Sequence, residues 1–270
     1  MTSSSKFSND SLTVELVSPG VFILWLDRSD AGNAMSNSFW PDLSSAVQFL
    51  TATDTRAVVL AGKGKHFSVG LDLKTFDFRS MFGESNDVGR KSLHFQKSIK
   101  QMQDSFSSLE NANFPVIAAI HGACIGGAVD LICSADIRIC SEDAVFSVFE
   151  INLGIPADLG TLQRLPKIIG NGSFCREIAL TGRKFNGKES YAAGFCSVLV
   201  SGGPTQVLQR ALQMASEIAG KSPVAVAAVK QSLTFSRDHS VRDGLDHIAN
   251  LNCSILQSCD ALTKPPFARL

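Results

Sequence analysis

The sequence predicts an α/β fold with a helical C-terminal region. Three observations carry this. A unit of apolar strand, turn and helix occurs at least twice, at 57–77 and 116–133. Glycine-rich turns follow the strands in both units. Beyond Gly202-Gly203-Pro204 every apolar pattern has the helical period. With 270 residues, 44% of them hydrophobic, the chain is long enough for one large domain or one domain with a smaller appendage.

The elements follow in order. Leu12 to Val17 and Val21 to Leu26 are β-leaning runs joined by Ser18-Pro19-Gly20, a hairpin signal. A polar loop, SDAGNAMS, leads to a helix over 38–52, with Phe39, Leu43, Val47 and Leu50 on its apolar face. Arg56 to Ala61 is a short buried strand. It opens into GKGKHFSVGLDL, a glycine-rich loop entering a helical turn at Leu71. This loop matches neither the Walker pattern nor the dinucleotide fingerprint. A loop at 79–88 precedes an amphipathic helix over 89–110, whose Leu93, Ile99, Met102 and Phe106 are expected to face the core. Pro115 to Ile120 is the next strand, and Gly126-Gly127 then begins a helix carrying Asp130. Strands at 137–140 and 144–148 follow. After them come helices within 160–171, 173–180 and 187–193, a strand at 196–200 and helices at 205–219, 224–235 and 240–258.

Composition excludes several function classes. Lys+Arg and Asp+Glu both number 25, giving a formal net charge of +0 and no global field for nucleic acid or anionic membranes. No N-terminal segment has the apolar core of a secretory signal. The seven cysteines lack CxxC or Cys/His ligand spacing, a pattern that suits reduced, packed thiols and speaks against a zinc site. The last three residues, Ala268-Arg269-Leu270, have the small–basic–leucine form of a peroxisomal address, so the import receptor is an expected partner.

Three acids stand in largely apolar company: Asp130, Glu150 and Asp158. A buried unpaired acid is costly, so three together suggest use. Taken singly, Asp130 could face solvent and Asp158 could cap the TLQRL helix. Asp136 is expected to be structural, paired with Arg138 or a turn, and His121 to be a packed histidine; His66 is read as a bystander. The glycine turn at 126–127 bares N–H groups at a helix N-terminus, and the loop at 69–72 offers another; two such donors meeting at one point form an oxyanion hole.

The segments GKHFSVGLDL, HGACIGGAVDLICSADIRIC and LGIPADLGTLQRLPKIIGN resemble the enoyl-CoA hydratase/isomerase (crotonase) superfamily, from about Leu12 to the C-terminus. GGAVD, Glu150 and the PAD at 156–158 are similar to its Δ3,5-Δ2,4-dienoyl-CoA isomerase branch. The resemblance implies a spiral core of repeated ββα units over 1–203 and a helical trimerisation region over 204–270, giving a homo-trimer or a hexamer. It implies an acyl-CoA thioester substrate, with no metal and no cofactor beyond the substrate's own coenzyme A. It puts the oxyanion donors on the N–H groups of Leu71 and Gly127, and the acyl-CoA lining on Val69, Gly70, Leu71, Asp72 and Leu73 with Gly127. Glu150 and Asp158 would be the proton-transfer acids, with Asp130 tuning the pair or holding a water. Hydratases of the superfamily carry Glu at the position of Asp130 and usually glycine at that of Asp158. Pro156 departs from the small residue expected there. The activity implied is isomerisation of 3,5-dienoyl-CoA to 2,4-dienoyl-CoA in fatty acid β-oxidation, in a peroxisome or, alternatively, in mitochondria or cytoplasm. A 2-enoyl-CoA hydratase or 3,2-enoyl-CoA isomerase is the alternative on the same framework. A catalytically silent RNA-binding or scaffolding relative is the alternative from another class.

Overall fold

The computed structural model describes residues 7–258 and residue 260. The serine-rich start and the C-terminal tripeptide lie outside the described residues. The core is a sheet of β1 (Phe7–Ser8), β2 (Leu12–Ser18), β3 (Val21–Leu26), β4 (Ala57–Gly62), β5 (Val116–Ile120), β7 (Ile137–Ser141) and β10 (Val198–Val200), in that spatial order. The first three strands pair antiparallel; β3, β4, β5, β7 and β10 are parallel. A second, small sheet is made of β6 (Ala123–Ile125), β8 (Val145–Ser147) and β9 (Phe185–Asn186). Successive turns of the chain therefore contribute one strand to each sheet: β5 with β6, β7 with β8, β9 with β10. Ser68 joins the small sheet through a bridge to Cys124, so the turn after β4 follows the same plan. This is the repeated strand–strand–helix spiral.

The sequence explains the parallel sheet. Every residue of β4 and of β5 is buried, because both faces are covered. On one face Val58, Leu60, Val116, Ala118 and Ile120 meet helices α1 (Phe39–Thr51), α2 (Val88–Glu110) and α3 (Gly127–Cys133). On the other face Ala57, Val59, Ile117 and Ala119 meet α7 (Pro204–Ala219). Alternation with period two sends neighbouring residues to opposite layers. Helix α7 offers Val207, Ala211 and Ala215 at four-residue spacing, small enough for close approach to the strands. The Gly-Gly-Pro signal therefore marks the start of a helix that covers the sheet.

The remaining helices are α4 (Thr161–Ile168), α5 (Gly172–Thr181), α6 (Gly187–Ala192), α8 (Pro223–Ser236) and α9 (Val241–Ile255). No residue of α9 is buried, and α8 buries Ala228 and Lys230. Lys230 reaches the Leu109 and Phe114 carbonyl oxygens at 2.8 and 2.9 Å and pairs with Asp136 at 2.9 Å. Among the described residues no helix is long and apolar enough to cross a membrane. The six cysteines among those residues are free thiols, five of them buried.

Two local expectations are corrected. Leu93 is 68% exposed. The step from Leu93 to Ile99 is out of helical register, whereas Phe95, Ile99, Met102 and Phe106 share a face and pack inward. Leu71 begins no helical turn. Gly70 has φ +85°, and Leu71 lies in a strand bridge to Met35, with Met35 N–H bonded to the Gly70 carbonyl at 2.8 Å and Asp72 N–H to the Met35 carbonyl at 3.0 Å.

Candidate active site

The site lies where two turns of the spiral touch. A Cβ at Gly70 would sit 3.4 Å from the Gly127 nitrogen and collide with the Ile125 carbonyl oxygen, so only glycine lets these strands approach. Ile125 N–H bonds the Ser68 carbonyl at 3.1 Å, and Ser68 N–H the Ala123 carbonyl at 3.0 Å. The loop bearing Leu71 is thus stitched to the turn bearing Gly127. Gly126 has φ +57°, and α3 starts at Gly127. Neither the Leu71 nor the Gly127 N–H donates to an acceptor among the described residues, and both residues line one cavity. Two unused donors at one cavity wall are what an oxyanion site requires.

Residues outside the predicted set hold this loop. Asn33, 4% exposed, has φ +57°, a conformation that asparagine tolerates better than most residues. Its amide nitrogen faces the carbonyls of Lys63, His66 and Phe67 at 2.9, 2.8 and 3.1 Å, and its carbonyl accepts from Ser68 Oγ at 2.8 Å. Ser68 Oγ in turn accepts from Gly70 N–H at 3.1 Å. Arg28 donates to the Ala34 carbonyl and pairs with Asp72 at 3.0 Å. The Asp72 carboxylate, held below the ordinary range by bonds from Thr75, Arg28 and Lys74, serves the loop and not the cavity. Of the predicted acyl-CoA lining, Val69, Leu71, Leu73 and Gly127 reach the cavity wall; Gly70 and Asp72 stand behind it. An asparagine following glycine in a polar loop was the available signal for Asn33.

The cavity has a volume of about 380 Å³ and a largely apolar wall, within the range of small-molecule sites. Asp130, Glu150 and Asp158 all line it. Each arrives from a different element. Asp130 is on the first turn of α3 and is 1% exposed. Glu150 lies on a 3-10 turn, Phe149–Leu153, its Oε1 3.2 Å from the position a Gly126 Cβ would take. Asp158 is in the loop before α4. The α4 N-terminus has no side-chain cap from its own N-cap residue, Gly160. Asp130 supplies one from across the site, accepting from Thr161 N–H at 2.6 Å. Asp130 thus neither faces solvent nor stands idle, and Asp158 is not the cap. Gln103 of α2 donates to the Asp158 backbone carbonyl at 2.7 Å. The loop carrying Asp158 is therefore clasped from α3 and from α2.

The acids resist ionisation. Burial, then the neighbouring Glu150, raises Asp130 to about 7. Burial and the charge of Asp158 raise Glu150, and burial raises Asp158. No Lys or Arg lines this cavity, whose wall is drawn from described residues. Two buried polar atoms of its wall have no partner among the described residues, Glu150 Oε2 and Trp40 Nε1. Acids raised in this way are suited to hold a proton and pass it on. His121 is packed, its Nε2 3.0 Å from the Gly64 carbonyl oxygen, and burial lowers its pKa. His66 Nδ1 accepts from Ala123 N–H at 3.2 Å. Asp136 is structural, but its partners are Val116 N–H at 2.8 Å and Lys230, not Arg138. The Arg138 guanidinium turns instead to the carbonyls of Ile132, Ala135 and Phe195.

Known proteins share this sequence and shape. The family model described as enoyl-CoA hydratase/isomerase matches residues 17–259. The mitochondrial Δ3,5-Δ2,4-dienoyl-CoA isomerase of Homo sapiens is 42% identical, over 94% of this chain and 77% of its own length. The peroxisomal Δ3,5-Δ2,4-dienoyl-CoA isomerase of Arabidopsis thaliana is 43% identical, over 93% of each. The crystal structure of an enoyl-CoA hydratase from Bacillus anthracis superposes with a TM-score of 0.83 at 26% identity, covering 94% of this chain and 93% of that one. Match, identity and shape agree with the site just described: this chain belongs to the enoyl-CoA hydratase/isomerase family.

Proposed function

We propose that the protein isomerises 3,5-dienoyl-CoA thioesters to 2,4-dienoyl-CoA. The observation that carries this reading is Asp158, a third acid in the wall that holds Asp130, Glu150 and two unused N–H donors. Water addition needs no third acid. Moving a proton from C2 to C6 needs groups at two separated carbons. The relatives named as dienoyl-CoA isomerases support the same choice.

The thioester oxygen accepts from the N–H groups of Leu71 and Gly127. Glu150, ionised, removes the C2 proton. The electron pair spreads into a dienolate, from the carbonyl oxygen to C4 and C6. Each donor lowers that barrier by roughly 3 kcal/mol. Asp158, protonated, delivers its proton to C6, leaving double bonds at C2 and C4. Glu150 ends protonated and Asp158 ionised, and exchange among the three acids restores the start. Asp130 acts as a positioning residue, holding the loop of Asp158 through the N-terminus of α4. The apolar wall keeps water from the dienolate.

Oligomerisation is assigned to the helical region after residue 203, on the exposed apolar residues of α8 and α9, such as Leu233 and Leu245. We assign the protein to a β-oxidation organelle, the peroxisome if Ala268-Arg269-Leu270 is read by its receptor.

The test is ultraviolet absorbance on mixing purified protein with 3,5-octadienoyl-CoA. Conjugation with the thioester grows in only if the dienoyl reaction runs. Loss of the enoyl band of a 2-enoyl-CoA, with no dienoyl turnover, would replace this reading with the hydratase. Salt-sensitive RNA binding without turnover of either ester would replace it with the silent relative.

A further inference from the structure

Beyond Asp158 the substrate still has an alkyl end, and the wall in that direction belongs to α2. Gln103 of α2 bonds the Asp158 backbone, and Ile99 and Phe95 follow at four-residue spacing on the same helix face. Both line the cavity. From Gln103 to Phe95 the stripe runs about 12 Å, at 1.5 Å per residue. At its end Phe95 meets Phe82, ring centroids 4.7 Å apart and planes at 5°. Phe82 belongs to a single 3-10 turn, Ser80–Phe82, whose tie to α2 is the Met81 carbonyl near His94 Nδ1 at 3.0 Å and Ser98 Oγ at 3.4 Å. A second concavity of about 990 Å³ runs along α2. Phe82, Phe95, Ile99 and Asp158 line both spaces. The stacked pair is the aromatic part of the wall that the two spaces share.

We propose that the Phe82–Phe95 stack closes the alkyl end of the acyl-CoA site and sets chain length. Tails that end along the Gln103–Phe95 stripe stay in the cavity. Longer tails must part the rings and enter the α2 groove, losing the stacking contact. Phe82 is the movable half: it is 42% exposed and sits on a turn bounded by Gly83 at φ +66°.

This inference rests on the acyl-CoA reading of the cavity, and its test separates the two. Binding of octanoyl-CoA and hexadecanoyl-CoA is measured by calorimetry for the wild type, F82A, F95A and F95W. These saturated thioesters report the tail site without requiring any isomerisation. In F82A and F95A the affinity ratio of the long to the short ester is expected to rise about fivefold, or ~1 kcal/mol. In F95W the ratio is expected to fall. F82A alters an exposed ring and guards against misfolding of F95A. An unchanged ratio in F82A and F95W, or equal loss for both esters, overturns the proposal. If the wild type binds neither ester, the acyl-CoA reading itself fails. If it binds both but turns over no dienoyl-CoA, only the isomerase reading fails.

Discussion

Two sets of carboxylates, Asp130 buried and the others half-buried, lie on the same stretch of chain, and their surroundings differ. Beneath α8, Asp136 pairs with Lys230, and Glu110 pairs with Arg164 at 3.0 Å and with Arg237. Each acid there has a cation. In the cavity, Asp130, Glu150 and Asp158 have none among the described residues, and their pKa values are all raised by burial. The first set joins α8 to the core through charges that neutralise one another. The second is the set to which we assign the proton transfer. What separates the two sets is whether the chain supplies a cation, which residue type does not reveal.

The sharpest way to break the comparison is D158N. Activity on 3,5-octadienoyl-CoA is expected to fall about a thousandfold, ~4 kcal/mol, with circular dichroism and urea midpoint held. Near-normal turnover would remove Asp158 from the chemistry. The opposite pattern is expected from K230M. It leaves Asp136 without its cation, bonded by Val116 N–H alone, and two carbonyls unpaired; it is expected to cost about 3 kcal/mol of stability by denaturant titration, while the folded enzyme keeps its turnover rate. A drop in rate with no drop in stability would mean that the two sets are not separate.

Asp130 stands between the two roles, and pH divides them. With its pKa raised to about 7, the folded chain holds a proton that the unfolded chain releases near the ordinary carboxylate value. Stability therefore falls as pH rises through that window. D130N keeps an acceptor for Thr161 N–H and has no proton to lose. Its stability relative to wild type is expected to grow by up to ~4 kcal/mol between pH 4 and pH 8. A difference flat with pH would show that Asp130 is ionised throughout. The smallest effect is expected from P156A, which changes kcat/KM by less than about twofold, ~0.4 kcal/mol, because Pro156 lines the cavity without a proton to give.

The longer strands and helices were legible, since apolar period and glycine turns are local signals, but β1, β6 and β9, two or three residues each, gave no such signal. Motif resemblance singled out residues that the fold places in one cavity wall, all three acids with Leu71 and Gly127. What was hidden depends on distant partners. Asp136 was assigned to a near neighbour, whereas Lys230 comes from a helix far along the chain. Asp130 as cap of α4 joins two helices that no local pattern links. Leu93 misled because hydrophobicity was read without its phase on the helix.

The Ser68–Cys124 bridge has a kinetic consequence. It closes a long loop between successive turns of the spiral, and the N–H groups proposed as oxyanion donors come together only once it forms. Contacts so distant in sequence are late to assemble. Refolding followed by return of catalysis is therefore expected to lag behind refolding followed by far-ultraviolet circular dichroism. Neither half of the chain, synthesised alone, would hold a reactive centre waiting for the other.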